Sequence, residues 1–204
     1  MVTRSQRAEQ RRQEILEAAL QVFAGKGYHA SGIADIAALL GIGHGTFYRY
    51  FQNKRAIFDA LLANILQSLA EVLHDEPPTR DSLSEYEAQL NRIASRLFAV
   101  FAADARLGRI LLFEAPGVDS DLQRQFQLAM GSFARMTETY LQNGLDKAFL
   151  RPMDTGIAAK AINAVIIEGI RAICFSPQPE AQAERWASQS VGLMLHGIAP
   201  QPNA

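Results

Sequence analysis

Few side chains in this sequence stand where they could make or break a bond. The histidines His29, His44, His74 and His196 are scattered, and Cys174 is the only cysteine. No H-E-x-x-H, G-x-x-x-x-G-K-[ST] or G-x-S-x-G pattern occurs, so no catalytic residue, metal or cofactor is expected. Gly41-Ile42-Gly43-His44-Gly45 is glycine-rich, but no strand pattern precedes it, which argues against a nucleotide cradle. Asp104 and Glu114 could pair as acid and base, though nothing sets them apart from ordinary polar residues. The polar chemistry gathers instead in His44-Gly45-Thr46-Phe47-Tyr48-Arg49-Tyr50, followed by Lys54. These residue types donate and accept hydrogen bonds at base edges and hold phosphates.

The elements that position this segment are helical. Apolar residues recur with helical period wherever a pattern is legible, and no segment alternates over strand length, so an all-α chain of about nine helices is expected. Ile15, Leu16, Ala19, Val22 and Phe23 mark a first helix ending near Gly25 and Gly27. Ser31 reads as the N-cap of a short helix with Ile33, Ile36, Ala37 and Leu40 on its inner face. Gly41 breaks it, and a second short helix from His44 to about Tyr50 turns Phe47 and Phe51 inward beside Ile42. Lys54 opens a longer helix reaching about His74, where Asp75-Glu76-Pro77-Pro78 ends it.

Two short helices with a sharp break form a helix-turn-helix, which projects its second helix toward a major groove. Ile36-Ala37, Gly41-Ile42 and Gly45 to Phe51, with Lys54 behind, resemble the signature of the TetR family of transcriptional regulators over about residues 8 to 60. That resemblance implies a homodimer whose N-terminal domains bind a palindromic operator in double-stranded DNA, usually as a repressor, and whose C-terminal helices hold a small inducer. It assigns Tyr48 and Lys54 to phosphates and His44, Thr46 and Tyr50 to the recognition helix; Ser31, Gly45 and Arg49 complete the expected DNA-binding set. Where the family often has serine as cap of that helix, this chain has Gly43, a loss of a few tenths of a kcal/mol. Bland readings stand beside these: His44 or Lys54 as solvated surface, Tyr48 or Tyr50 as core, and Arg4, Arg7 and Arg11 as either a basic arm or an ordinary frayed end.

The remaining chain carries five further helical patterns. Leu90, Ile93, Ala94, Leu97, Phe98 and Phe101 form a complete stripe, and a very apolar helix from Ala105 to Glu114 closes at Ala115-Pro116-Gly117. A seventh helix runs from Asp119 to about Ala148, an eighth from Asp154 to Phe175 and a ninth from Glu180 to about Ile198. The density of phenylalanine between residues 82 and 150 reads either as plain core or as a largely apolar pocket with a few orienting polar groups. The resemblance favours the pocket, with Phe98, Phe101, Arg109, Phe113, Glu114, Phe126, Met130, Phe133 and Asn163 as lining and a lipophilic or aromatic compound as ligand. A Glu114-to-arginine ion pair explains part of the same set. Helices eight and nine are assigned to a four-helix dimer interface through Ile162, Ile166, Ile173, Trp186, Ser190 and Met194, which would set two recognition helices roughly 34 to 36 Å apart.

Composition bounds the alternatives. The chain has 204 residues, 49% hydrophobic and 20% charged, which excludes a disordered or fibrous protein. Its net charge of −1 conceals +3 over residues 1–60 and −4 over the rest, a basic head on an acidic body. The longest purely apolar run, Leu97 to Ala103, is too short to span a bilayer, and the Arg-rich start is no secretory signal, so a cytoplasmic protein without membrane contact is expected. The expected division is 1–53 for the DNA-binding domain, 54–74 for a connecting helix and 75–204 for ligand binding and dimerisation. The competing functions are a helical adaptor with non-specific DNA contact and, more distantly, a small helical enzyme.

Overall fold

Tight aromatic packing against one long helix organises the N-terminal third. The computed structural model describes residues 3–79 and 81–197. Nine α-helices and no strand occur among them: α1 (Arg4–Lys26), α2 (Ile33–Leu40), α3 (His44–Phe47), α4 (Lys54–His74), α5 (Leu83–Ala103), α6 (Ala105–Arg109), α7 (Ser120–Asp146), α8 (Thr155–Cys174) and α9 (Pro179–His196). The all-α expectation holds. Phe23 of α1, Tyr28 after it and Phe58 of α4 form one aromatic cluster with centroids 5.1–5.7 Å apart. Offset and edge-on rings at this spacing add to their burial. Phe47 and Ile36 are fully buried beneath them and fix α2 and α3 to α1.

α4 runs from this cluster into the body. Asn53 caps it, its side chain accepting the Ala56 N–H at 2.8 Å. By length and mean hydropathy, 1.5 over its apolar window, α4 would suffice to cross a membrane, which a count of uninterrupted apolar residues did not reveal. Its Ile57, Phe58, Leu61, Leu62, Ile65, Leu69 and Val72 are buried in the core, while Asn64, Gln67, Ser68 and Glu71 face outward. That is the two-faced pattern of a helix packed on one side.

The expected sixth helix is three pieces. After α6 the chain widens into a π-helical turn, Ile110–Glu114, in which Ala115 N–H reaches back to Ile110, then tightens into a 3-10 turn, Ala115–Gly117. Pro116 has no N–H to continue the α ladder, so the helix cannot close regularly there. Such π turns are rare and cluster at functional sites. In the body α5 packs against α9 and α8, and α7 against α8. Gly169 lets α8 approach closely, since a Cβ there would meet Phe98 Cε1 at 2.7 Å.

Candidate functional site

The turn of the helix-turn-helix follows from Gly41. It adopts φ +63°, a left-handed conformation costly for residues with a Cβ, and ends α2. Its N–H donates to Ala38 O at 3.2 Å while Ile42 N–H donates to Ala37 O at 3.1 Å, the paired closure of a Schellman motif. Gly43 starts α3 with its backbone alone, its carbonyl accepting Thr46 N–H at 3.0 Å. α3 spans four residues rather than seven. Beyond Phe47 the chain continues in tighter turns, with Tyr50 N–H donating to Phe47 O at 2.9 Å, because buried Phe47 and Phe51 must be followed at once by the cap Asn53.

Outward from this unit stand Gly45, Tyr48 and Arg49, with Tyr48 55% exposed and braced edge-on by the Phe47 ring. Thr46 is half-buried, and so is Tyr50, which packs against the core with Arg49 5.8 Å from its ring. The His44 side chain lies outside the described residues. Arg4 and Arg7 are exposed on α1 and make no ion pair among the described residues, whereas Arg11 pairs with Glu14 and Arg12 lies over the Phe51 ring.

Two expected contacts are corrected. Ser31 is not the N-cap of α2: Gly32 is, and the Asp35 carboxylate accepts the Gly32 N–H at 2.8 Å. Ser31 is buried and donates its hydroxyl to Tyr28 O at 2.8 Å, so its side chain is unavailable to a phosphate. Asp35 itself is held below the usual carboxylate range by its hydrogen bond from Lys26 and then by Gly32. Lys54 is also turned inward. Its ammonium donates to Tyr28 O at 2.7 Å and Ser31 O at 2.9 Å and lies 4.1 Å from the Tyr28 ring centroid. With two of its three N–H donors committed to this turn and the ammonium over the Tyr28 ring, Lys54 braces the turn in this structure. Lys54→Ala is therefore expected to destabilise the protein by about 1–2 kcal/mol, lowering Tm by a few degrees. The slope of operator affinity against salt concentration between about 50 and 200 mM should stay unchanged, whereas loss of a phosphate contact would lower it by about one unit.

The body contains a cavity of about 120 Å³ between α4, α5, the π turn, α7, α8 and α9. Of the expected lining, Phe98, Met130, Phe133 and Asn163 do line it. The others do not. Phe101 is wholly buried elsewhere in the core, Phe126 packs at its edge, and Phe113 is 48% exposed with its ring 5.5 Å from exposed Phe175, which Arg109 also approaches. Glu114 points toward the head: its carboxylate accepts the Tyr28 N–H at 2.7 Å across Gly27, and it pairs with no arginine among the described residues.

Most of the expected dimer set faces inward instead. Ile162, Ile166, Ser190 and Met194 line the cavity, Ile173 is wholly buried, and half-buried Trp186 packs beside Gly169. Helix α8 is apolar almost all round, so composition could not distinguish its inner from its outer stripe. The exposed apolar residues are Ile157, Ala161, Ala164 and Ile167 on α8 and Ala181 and Leu193 on α9, with Ile167 also reaching the cavity.

Sequence reasoning missed the fastening between head and body. Besides Glu114 with Tyr28, His29 Nε2 bonds Gly117 O at 2.9 Å, Arg55 pairs with Asp119 and Asp121, and Arg106 pairs with Glu17 at 2.7 Å. All four ties converge on residues 106–121. Only the π turn's unusual run Leu111-Leu112-Phe113-Glu114 hinted at it.

Comparison with known proteins agrees with this geometry. Residues 15–61 match the family described as bacterial regulatory proteins, tetR family. The chain is 24% identical over 158 residues to the fatty acid metabolism regulator protein of Bacillus subtilis (strain 168), covering 77% of this chain and 80% of that protein. It is 33% identical over 115 residues to the transcriptional regulator TtgR of Pseudomonas putida, covering 54% of this chain and 52% of that protein. Its fold matches the crystal structure of the transcriptional regulator FadR from Bacillus subtilis in complex with stearoyl-CoA with a TM-score of 0.76 at 22% identity, over 92% of this chain and 99% of that one. With a matching helix-turn-helix segment, a curated regulator aligned over most of its length and the same all-helical architecture, residues 15–61 are identified as the DNA-binding segment of the tetR family of bacterial regulatory proteins, and the chain as a whole shares the fold of the regulators it resembles.

Proposed function

We propose that this protein is a sequence-specific repressor, released from a palindromic operator when a small lipophilic molecule occupies the body cavity, acting as a cytoplasmic homodimer without enzymatic turnover. The observation that carries this reading is the π turn. Leu111 and Leu112 form part of the cavity wall, and Glu114, two residues on, holds the turn that leads into the helix-turn-helix. Leu69 and Leu73 of α4 line the same cavity, so a ligand that displaces the wall bears on the head by two routes. A ligand favouring the released state by a few kcal/mol suffices to shift the population.

In this reading residues 1–53 bind DNA, 54–74 connect and 75–204 hold the ligand and the dimer contact. Gly45, Thr46, Tyr48 and Arg49 approach the operator, with Arg4 and Arg7 beside the backbone. Small Ala161 and Ala164, flanked by Ile157 and Ile167, suit the close approach of a second α8. The apolar lining and the stearoyl-CoA bound to FadR of Bacillus subtilis both support a lipophilic effector.

The test is selection of binding sites from a random duplex pool at about 0.15 M salt, where non-specific phosphate attraction is already weakened. Enrichment of an inverted repeat is the expected result. A flat pool would overturn sequence-specific recognition and favour an adaptor that touches DNA without reading it.

A further inference from the structure

The cavity's polar inventory identifies the chemistry of its occupant more narrowly than its apolar character does. None of its lining residues is Asp, Glu, Lys, Arg or His. Four can form side-chain hydrogen bonds: Thr137, Tyr140, Asn163 and Ser190. Two have already committed their single proton. Tyr140 donates to the carbonyls of Leu73 and Glu76, at 3.1 and 2.5 Å, and Ser190 donates to Ala187 O at 3.2 Å. Thr137 and Asn163 differ. The Thr137 hydroxyl, with one proton, stands 3.1 Å from Phe133 O and 2.9 Å from Asn163 Oδ1. That is the only hydrogen bond of the Asn163 amide among the described residues. A primary amide has two donors and a two-sided acceptor, so whichever way it is turned, one polar edge remains for a guest.

We infer that the cavity selects an uncharged molecule, apolar except for a single hydroxyl or carbonyl group, which hydrogen-bonds the Asn163 amide held by Thr137. This inference rests on reading the cavity as the effector site. A charged group carried inside would find no counter-charge and would lose its hydration. A wholly apolar guest would leave the amide edge unpaired. Size points the same way: a dry cavity of about 150 Å³ lined by leucine, isoleucine and phenylalanine takes benzene, so about 120 Å³ accommodates one ring or a short chain segment.

The test uses four probes of one ring each, the size the cavity accommodates: toluene, benzyl alcohol, benzoate and benzylammonium, titrated at neutral pH into the full chain without DNA and followed by calorimetry or ligand-observed NMR. Benzyl alcohol is expected to bind about 100-fold or more tightly than either ion. Asn163→Leu should shift the benzyl alcohol to toluene affinity ratio about tenfold toward toluene, and Thr137→Val, which keeps its volume, should shift it the same way by a smaller factor. Benzoate binding as tightly as benzyl alcohol, or a ratio that neither variant moves, would overturn the inference. Because no operator enters the measurement, a flat site selection leaves this result standing, and an enriched operator with the wrong probe order sinks only the ligand chemistry.

Discussion

Glu114→Ala is expected to weaken operator binding by roughly 10- to 100-fold and to flatten the protein's response to a cavity ligand. The carboxylate is the acceptor for the Tyr28 N–H, which lies in a turn where Tyr28 itself is buried against Phe23 and Phe58. Removing it strands a donor beside an apolar cluster, a loss of about 1–3 kcal/mol. The turn then keeps the Lys54 brace and the Ser31 hydroxyl on its carbonyl side and the His29 contact with Gly117. A loosened turn must be ordered again when the head engages DNA, so affinity falls before any ligand is added. The second effect separates a coupling residue from a merely structural one. Coupling is reciprocal: the factor by which ligand weakens operator binding equals the factor by which operator weakens ligand binding. With benzyl alcohol as probe, the ratio of operator Kd values with and without ligand should fall toward one in Glu114→Ala. Glu114→Gln, which keeps an acceptor oxygen at the same reach, should restore most of it. A lowered Tm with an unchanged ratio would remove the π turn from the route and leave α4 to carry the signal alone.

How much of this was legible in the sequence depends on the range of the interaction. The helix-turn-helix was legible because its determinants are local: Gly41 between two apolar stripes, Phe47 and Phe51 four residues apart, and a new helical pattern opening at Lys54. Ser31 and Gly32 are both acceptable N-caps, and adjacent in the chain they cannot be ranked without knowing which one Asp35 reaches back to. Lys54 is decided by two carbonyls 26 and 23 residues upstream, and Glu114 by a backbone N–H 86 residues away. Backbone partners leave no side-chain signature, so neither pairing could be read from residue types. The division of α8 into cavity wall and outer face failed for a different reason. A helix apolar all round has no periodic contrast to orient it, and only the packing of α5, α7 and α9 against it separates Ile162 and Ile166 from Ala161 and Ala164.

The closest helix crossing in the body gives the largest expected effect on stability. Gly108, in the last turn of α6, packs against α8, and a Cβ built there would lie 2.2 Å from Cys174 Sγ, 3.1 Å from Ile170 Cγ2 and 3.4 Å from Phe101 Cδ1. An alanine in a helix ordinarily gains about 1 kcal/mol over glycine. Here it meets three packed neighbours, Cys174 and Ile170 on α8 and Phe101 on α5, and overpacking a filled core costs about 1–3 kcal/mol. Gly108→Ala is therefore expected to be net destabilising by up to about 2 kcal/mol, lowering Tm by roughly 4–8 °C for a chain of this size. The thiol is the nearest obstacle and has no other task visible in the fold. Burial pushes its pKa up to about 11, so it stays neutral and unreactive in the position where it is packed. Cys174→Ala removes the sulfur and opens the space that the new methyl needs. The two substitutions should be strongly non-additive: the double variant is expected to be more stable than Gly108→Ala alone, although Cys174→Ala by itself leaves a small void and destabilises. Thermal unfolding of the four proteins in this cycle measures the coupling directly. Additive changes would mean that the crossing of α6 over α8 relaxes elsewhere, and that the segment carrying the π turn is not held at this point. Non-additivity would fix the start of that segment against α8, leaving the π turn between a pinned end at Gly108 and a tethered end at Glu114, so that displacement of Leu111 and Leu112 reaches the head instead of dissipating into the body.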